Sequence, residues 1–125
     1  MSGSTIDTVA LRRLLDLMGG DPGDLAEMLE EYRMAAPDLA RTVVSAAAAG
    51  DVETLRIAAH TLKSNARDFG ATRLAELCAG LEADCRAGAA PADAVERAAH
   101  IEAAEAEARA ALSSIEPQAI AGGGT

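Results

Sequence analysis

Thirty-one of the 125 residues are alanine, set against one tyrosine, one phenylalanine and no tryptophan. Such a chain cannot fill a core with large side chains. Alanine is the best helix former and buries little surface, so stability has to come from closely packed helices with Leu, Ile, Val and Met between them. Alternation of period two persists nowhere, and no strand is expected. The length is that of one domain. With 20 acidic and 11 basic residues the net charge is −9, which excludes a general affinity for nucleic acid or anionic membranes. The scarcity of aromatics excludes base-stacking platforms and aromatic cages. Cys78 and Cys85 lie on one helix face about 10 Å apart, too far for a disulfide, and read as small core residues. Met1 to Thr8 is polar and no apolar run approaches a membrane span, so a cytoplasmic protein with no membrane partner is expected.

Five helices are expected. The first runs from about Ile6 to Met18, capped by Ser4 or Thr5, with Ile6, Val9, Ala10, Leu14 and Met18 inward and Gly19-Gly20 as its stop. The second opens on Asp21-Pro22, a good N-cap followed by proline at the first helical position. It carries Leu25, Met28, Leu29, Tyr32, Ala36, Leu39, Val43 and Ala46 in one phase through Pro37, which predicts a kink rather than a stop. Gly50 and Asp51 separate it from a third helix reaching Asp68. A fourth spans Thr72 to Arg86, with Leu74, Leu77, Cys78, Leu81 and Cys85 inward. A fifth follows Pro91, with Ala94, Ile101, Ala104, Ala108, Leu112 and Ile115 on one face. Short loops make neighbours antiparallel, so the fold expected is an all-α, up-down-up-down four-helix bundle with a short extra N-terminal helix. The bundle is placed in residues 1–115, and residues 116–125 read as a disordered tail.

The third helix holds the chemistry. With Leu55 at 0°, the apolar residues Leu55, Ala59, Leu62, Ala66 and Phe69 all fall within about 40° of one axis, whereas His60 falls at about 140°. Around it sit Lys63 at about 80°, Arg56 at about 100°, Arg67 at about 120° and Ser64 at about 180°. A solvent-facing histidine among cations in an acidic protein is either part of a solvated basic face or a site for a dianionic group on the imidazole. The cations would hold the anion and would also disfavour protonation of His60, keeping a lone pair for attack. No carboxylate base or second histidine stands beside it in the sequence, so hydrolytic acid–base catalysis is unsupported. Lys63 is the sole lysine of the chain.

The run Ala59-His60-Thr61-Leu62-Lys63-Ser64-Asn65-Ala66-Arg67-Asp68-Phe69-Gly70-Ala71 resembles the signature of the histidine-containing phosphotransfer domain, A-H-x-L-K-G-S-[SA]-x-x-[LF]-G-A. Asp21-Pro22, Ala36-Pro37, Ala49-Gly50-Asp51 and Leu74-x-x-Leu77-Cys78-x-x-Leu81-Glu82 also look like family features, and the resemblance covers roughly residues 6 to 115. It implies a phosphorelay intermediate. His60 would take a phosphoryl group from a receiver-domain aspartate, or from a histidine-kinase system, and pass it to the receiver of another response regulator. Lys63 would stabilise charge on the phosphoryl oxygens, and Gly70 would end the helix near the site. Arg56, Ser64 and Arg67 would face the partner. The implied partners are receiver domains and a sensor or hybrid histidine kinase. Mg²⁺ would sit on the receiver, so no cofactor or metal of its own is expected. Ser64-Asn65-Ala66 departs from the usual Gly-Ser-Ser/Ala and bears on how closely a partner fits. The alternative is a non-catalytic helical adaptor of the same fold that binds receiver or kinase domains without phosphotransfer. The chain is expected to act as a monomer.

No nucleotide-binding motif is present, so a phosphotransfer role would require a partner rather than make the chain an enzyme on its own. Glu96 and His100 read as a surface pair, since a bundle metal site needs further carboxylates. The terminal glycines follow no strand and precede no helix, and are not a phosphate loop.

Overall fold

The structure, a computed structural model, describes residues 5–122. Within them the chain forms six helices: α1 (Thr8–Leu17), α2 (Pro22–Ala49), α3 (Val52–Asp68), α4 (Thr72–Cys85), α5 (Ala94–Ser113) and α6 (Pro117–Ala121). No strand occurs among the described residues. Helix α2 packs on α3 and α5, and α4 packs on the same two, which closes a four-helix bundle. Helix α1 lies across α2 and α3 at one end.

The punctuation follows local chemistry. Asp21 Oδ1 accepts from the Gly23 N–H at 2.8 Å, and Pro22 opens α2. That helix continues through Pro37 without interruption to Gly50, which takes the left-handed conformation (φ 68°). Asp51 then caps α3 by accepting from the Thr54 N–H and hydroxyl. The core is a column of leucines (Leu25, Leu55, Leu62, Leu74, Leu81, Leu112) with alanines at the helix contacts. Each leucine contributes roughly 1.5–3 kcal/mol by leaving water, whereas alanine serves mainly to let backbones approach. Cys78 and Cys85 are free thiols in this core.

Three expectations differ from the structure. Helix α1 is capped by Asp7, whose Oδ1 accepts from the Val9 N–H at 3.0 Å. Thr5 precedes it, and Ser4 lies outside the described residues. The face α1 buries is Leu11 and Leu15, while Val9 is 62% exposed. Ile6 precedes the helix, and at 100° per residue Leu11 and Leu15 fall about 140° and 180° from it, so a stripe phased on Ile6 points away from the face that α1 buries. Finally, residues after 116 do not simply trail away. Glu116 turns the chain into α6, with Pro117 at its start, and Ile120 and Ala121 pack on the core beside α1 and α2. Residues 123–125 lie outside the described part of the chain.

Candidate functional site

Helix α3 presents His60 to solvent because Leu55, Ala59, Leu62 and Ala66 turn the opposite face into the bundle. The imidazole is 55% exposed. Its Nδ1 lies 2.8 Å from Oε2 of Glu82, which projects from α4. Glu82 is a buried carboxylate, 2% exposed, in a helix whose other inward residues are apolar. Its second oxygen, Oε1, receives Lys63 Nζ at 2.6 Å. Arg86, one turn further along α4, reaches Oε2 at 3.2 Å. Three side chains, two from α3 and one from the C-terminal end of α4, thus meet on the Glu82 carboxylate.

A buried carboxylate without partners would be protonated or expelled. Burial does push the Glu82 carboxyl upward. The Lys63 and His60 hydrogen bonds and charges outweigh it and hold the group down to about 2. Glu82 is therefore ionised at neutral pH. An ionised carboxylate can only accept, so the hydrogen bond to His60 requires the proton on Nδ1, and in the neutral ring the lone pair is then on Nε2. The neighbouring Cys78 thiol is pushed up to about 12, first by burial and then by the Glu82 charge. That leaves it protonated and poorly nucleophilic.

The structure corrects the reading of the site as a histidine flanked only by cations. A carboxylate does stand beside His60, 22 residues away in sequence. Lys63 is only 13% exposed and is committed to that carboxylate. Arg56 makes two hydrogen bonds to Glu53, at 3.3 and 2.7 Å, on the same side of α3. Ser64 is exposed one turn after His60. Arg67 makes no ion pair among the described residues and lines an open groove with Ala10 and Arg13 of α1 and Ala75 and Ala79 of α4. Gly70 does not touch the site. It lies ten residues beyond His60, roughly 15 Å along the axis. There its φ of 76° ends α3, its carbonyl accepts from the Asp7 N–H at 2.8 Å, and a Cβ would strike the Asp7 backbone. Gly70 therefore seats α1 on the bundle.

Sequence reasoning missed Glu82 and Arg86 as site residues. The available signal was Glu82 itself, an acidic residue directly after Leu81, at the edge of the apolar stripe of α4 rather than opposite it. His100 is exposed, and no cluster of metal-ligating side chains occurs among the described residues. No helix among the described residues is long and apolar enough to cross a membrane.

Comparison with known proteins bears on this geometry. Among curated proteins no relative matches. Among solved structures, the crystal structure of histidine-containing phosphotransfer protein B from Pseudomonas aeruginosa PAO1 is similar, with 26% identity and a TM-score of 0.79. The match covers 94% of this chain and 98% of that one. The sequence profile of the Hpt domain matches residues 27–115, a span that contains His60, Lys63, Glu82 and Arg86. A four-helix bundle, an exposed histidine held from behind by a buried carboxylate, and this profile agree: the chain belongs to the Hpt domain family of histidine phosphotransfer proteins.

Proposed function

We propose that His60 takes a phosphoryl group on Nε2 from the aspartyl phosphate of a receiver domain and passes it to the aspartate of another. The observation that carries this reading is the hydrogen bond between His60 Nδ1 and buried Glu82. In the forward step the Nε2 lone pair attacks phosphorus, an N–P bond forms, and the P–O bond to the receiver aspartate breaks to leave a carboxylate. No proton has to move. The ring keeps its Nδ1–H and becomes cationic, and the buried Glu82 carboxylate already faces that developing charge. The reverse step returns the electron pair to Nε2.

In this reading Lys63 acts through Glu82 rather than on the phosphoryl oxygens. It donates to Oε1 and keeps the carboxylate ionised and aimed. Mg²⁺ belongs to the receiver's aspartate pocket. Arg67 and the small exposed Ser64 lie on the face that a receiver would cover, and a sensor or hybrid histidine kinase would stand upstream. The chain itself contributes the nucleophile and its electrostatic setting, and works as a monomer in the cytoplasm.

The test is incubation with a receiver carrying labelled phosphate. Label should move to this chain, survive alkali and be lost in acid, as phosphohistidine is. His60→Gln should keep its fold, since the ring is half exposed and Glu82 Oε2 still has Arg86 as a donor, and should take no label. A chain that binds the phosphorylated receiver but never acquires label would be an adaptor.

A further inference from the structure

Two of the cations around Glu82 differ in how firmly they are held. Lys63 Nζ is 2.6 Å from Oε1, and its side chain is 13% exposed. Arg86 Nη2 is 3.2 Å from Oε2, and its side chain is 64% exposed. Oε1 has Lys63 alone, whereas Oε2 is shared by Arg86 and His60 Nδ1. If Lys63 left, a buried oxygen would lose its sole donor. If Arg86 left, each carboxylate oxygen would still keep one. Arg86 is thus the donor that Glu82 can spare. The contacts of 2.8 and 3.2 Å on the same oxygen also put its guanidinium no further from Nδ1 than their sum. Arg56, the other arginine beside the histidine, is tied to Glu53.

We propose that Arg86 is the cation that meets the phosphoryl group. On phosphorylation of His60 the guanidinium swings from Glu82 Oε2 to the phosphoryl oxygens, while Lys63 stays on Oε1. The charges favour the exchange. A phosphoryl group carries more negative charge than a carboxylate, and the planar fork of arginine matches two of its oxygens at once. Meanwhile Glu82 keeps the Nδ1–H of a ring that has become cationic and no longer needs the arginine. This proposal rests on His60 being the phosphoacceptor and adds to it a ligand for the transferred group.

The experiment phosphorylates the full chain with phosphoramidate, a donor that needs no partner, and follows the phosphohistidine ³¹P resonance against pH. In wild type the guanidinium lowers the midpoint for protonation of the phosphoryl group. Arg86→Gln should raise that midpoint by roughly half a pH unit, the shift that a unit charge about 5 Å away gives in water. Arg86→Lys should recover part of it, and Lys63→Gln should move it less than Arg86→Gln does. Equal midpoints in wild type and Arg86→Gln, or a larger shift in Lys63→Gln, would overturn the proposal. If Lys63→Gln fails to fold, wild type, Arg86→Gln and Arg86→Lys decide it alone. Failure of the wild type to form phosphohistidine at all would instead remove the reading of His60, and this proposal with it.

Discussion

Glu82 Oε2 and His60 Nδ1 stand 2.8 Å apart across the groove between α4 and α3, the carboxylate buried and the ring half in solvent. The carboxylate sets which ring nitrogen is the nucleophile, and this makes Glu82→Gln the most informative change in the site. Lys63 can only donate, so it would claim the amide oxygen of a glutamine. The amide NH₂ would then face His60 Nδ1 and force it to accept, which moves the ring proton to Nε2 and removes the lone pair from solvent. Phosphoryl acceptance should fall about tenfold or more, the equivalent of about 1.4 kcal/mol in the barrier. The ¹⁵N shifts of the imidazole should report the change of tautomer. Unchanged shifts together with an unchanged rate would show that the contact does not select the tautomer.

The same carboxylate gives the fold a pH dependence. Glu82 is held down to about 2 in the folded chain by its donors, against burial, and returns to the ordinary carboxylate range on unfolding. A group depressed in this way contributes stability that is fully present above the unfolded value and is lost as pH falls through the folded one. The advantage of wild type over Glu82→Gln in chemical denaturation should therefore hold from pH 7 to about pH 5 and shrink steadily toward pH 2. Asp51 and Glu53 are lowered by their own hydrogen bonds, to Thr54 and Arg56, but both proteins contain them and they cancel in the difference.

Lys63 and Arg56 should separate cleanly in stability. Lys63→Ala leaves Oε1 of a buried carboxylate without a donor, and should destabilise by about 1–3 kcal/mol in urea or guanidinium titrations. Arg56→Ala removes one member of an exposed pair three residues apart, whose loss costs about 0.5 kcal/mol or less. A comparable loss in the two variants would mean that Glu82 finds another donor.

Much of this arrangement was legible in the sequence, for a specific reason. The stripe Leu55, Ala59, Leu62, Ala66, Phe69 is buried as a set, and the turn of 100° per residue then leaves His60 no choice but the outer face. Asp21, Gly50 and Asp51 act where their short-range chemistry placed them, because caps depend on neighbours in sequence. What escaped depends on neighbours in space. Glu82 looks like an ordinary polar residue of α4 until α3 is packed against it. The charge of Lys63 looks available until its carboxylate is found. Helix α6 escaped for a related reason: Ile120 is the single large apolar residue between Pro117 and a run of glycines, and only the surface of α1 and α2 gives it somewhere to pack.

Tyr32 offers a test of the core away from the site. Its ring packs on Phe69 with centroids 4.7 Å apart, and its hydroxyl is buried with no hydrogen-bond partner among the described residues. Burial, and then the charge of Glu105, push the phenol well above its ordinary range. Glu105 is itself buried and takes both its hydrogen bonds from Arg109, at 2.8 and 3.2 Å, so it does not rescue the hydroxyl. Tyr32→Phe keeps the ring contact and removes an unsatisfied polar atom. It should be neutral or stabilising by up to about 1 kcal/mol in thermal or denaturant unfolding, whereas loss of a satisfied buried hydroxyl would destabilise by about that much.

The chain carries a net charge of −9, and a receiver presents acidic residues around its own aspartate, so the two repel at long range. Arginines stand near His60 on the exposed side of α3, but they are unequal. Arg56 is offset by Glu53 at 2.7 Å, while Arg67 makes no ion pair among the described residues and lies on the groove beside α1. Uncompensated charge steers encounter more than charge that already has a counter-ion. Arg67→Glu should therefore slow receiver-to-His60 transfer at low salt more than Arg56→Ala does. Its deficit should shrink as salt is raised, since screening acts within about 10 Å at 0.1 M. The measurement is the transfer rate at subsaturating receiver across a salt series for the three proteins. If Arg67→Glu tracks wild type at every salt concentration, the charge of Arg67 does not guide docking.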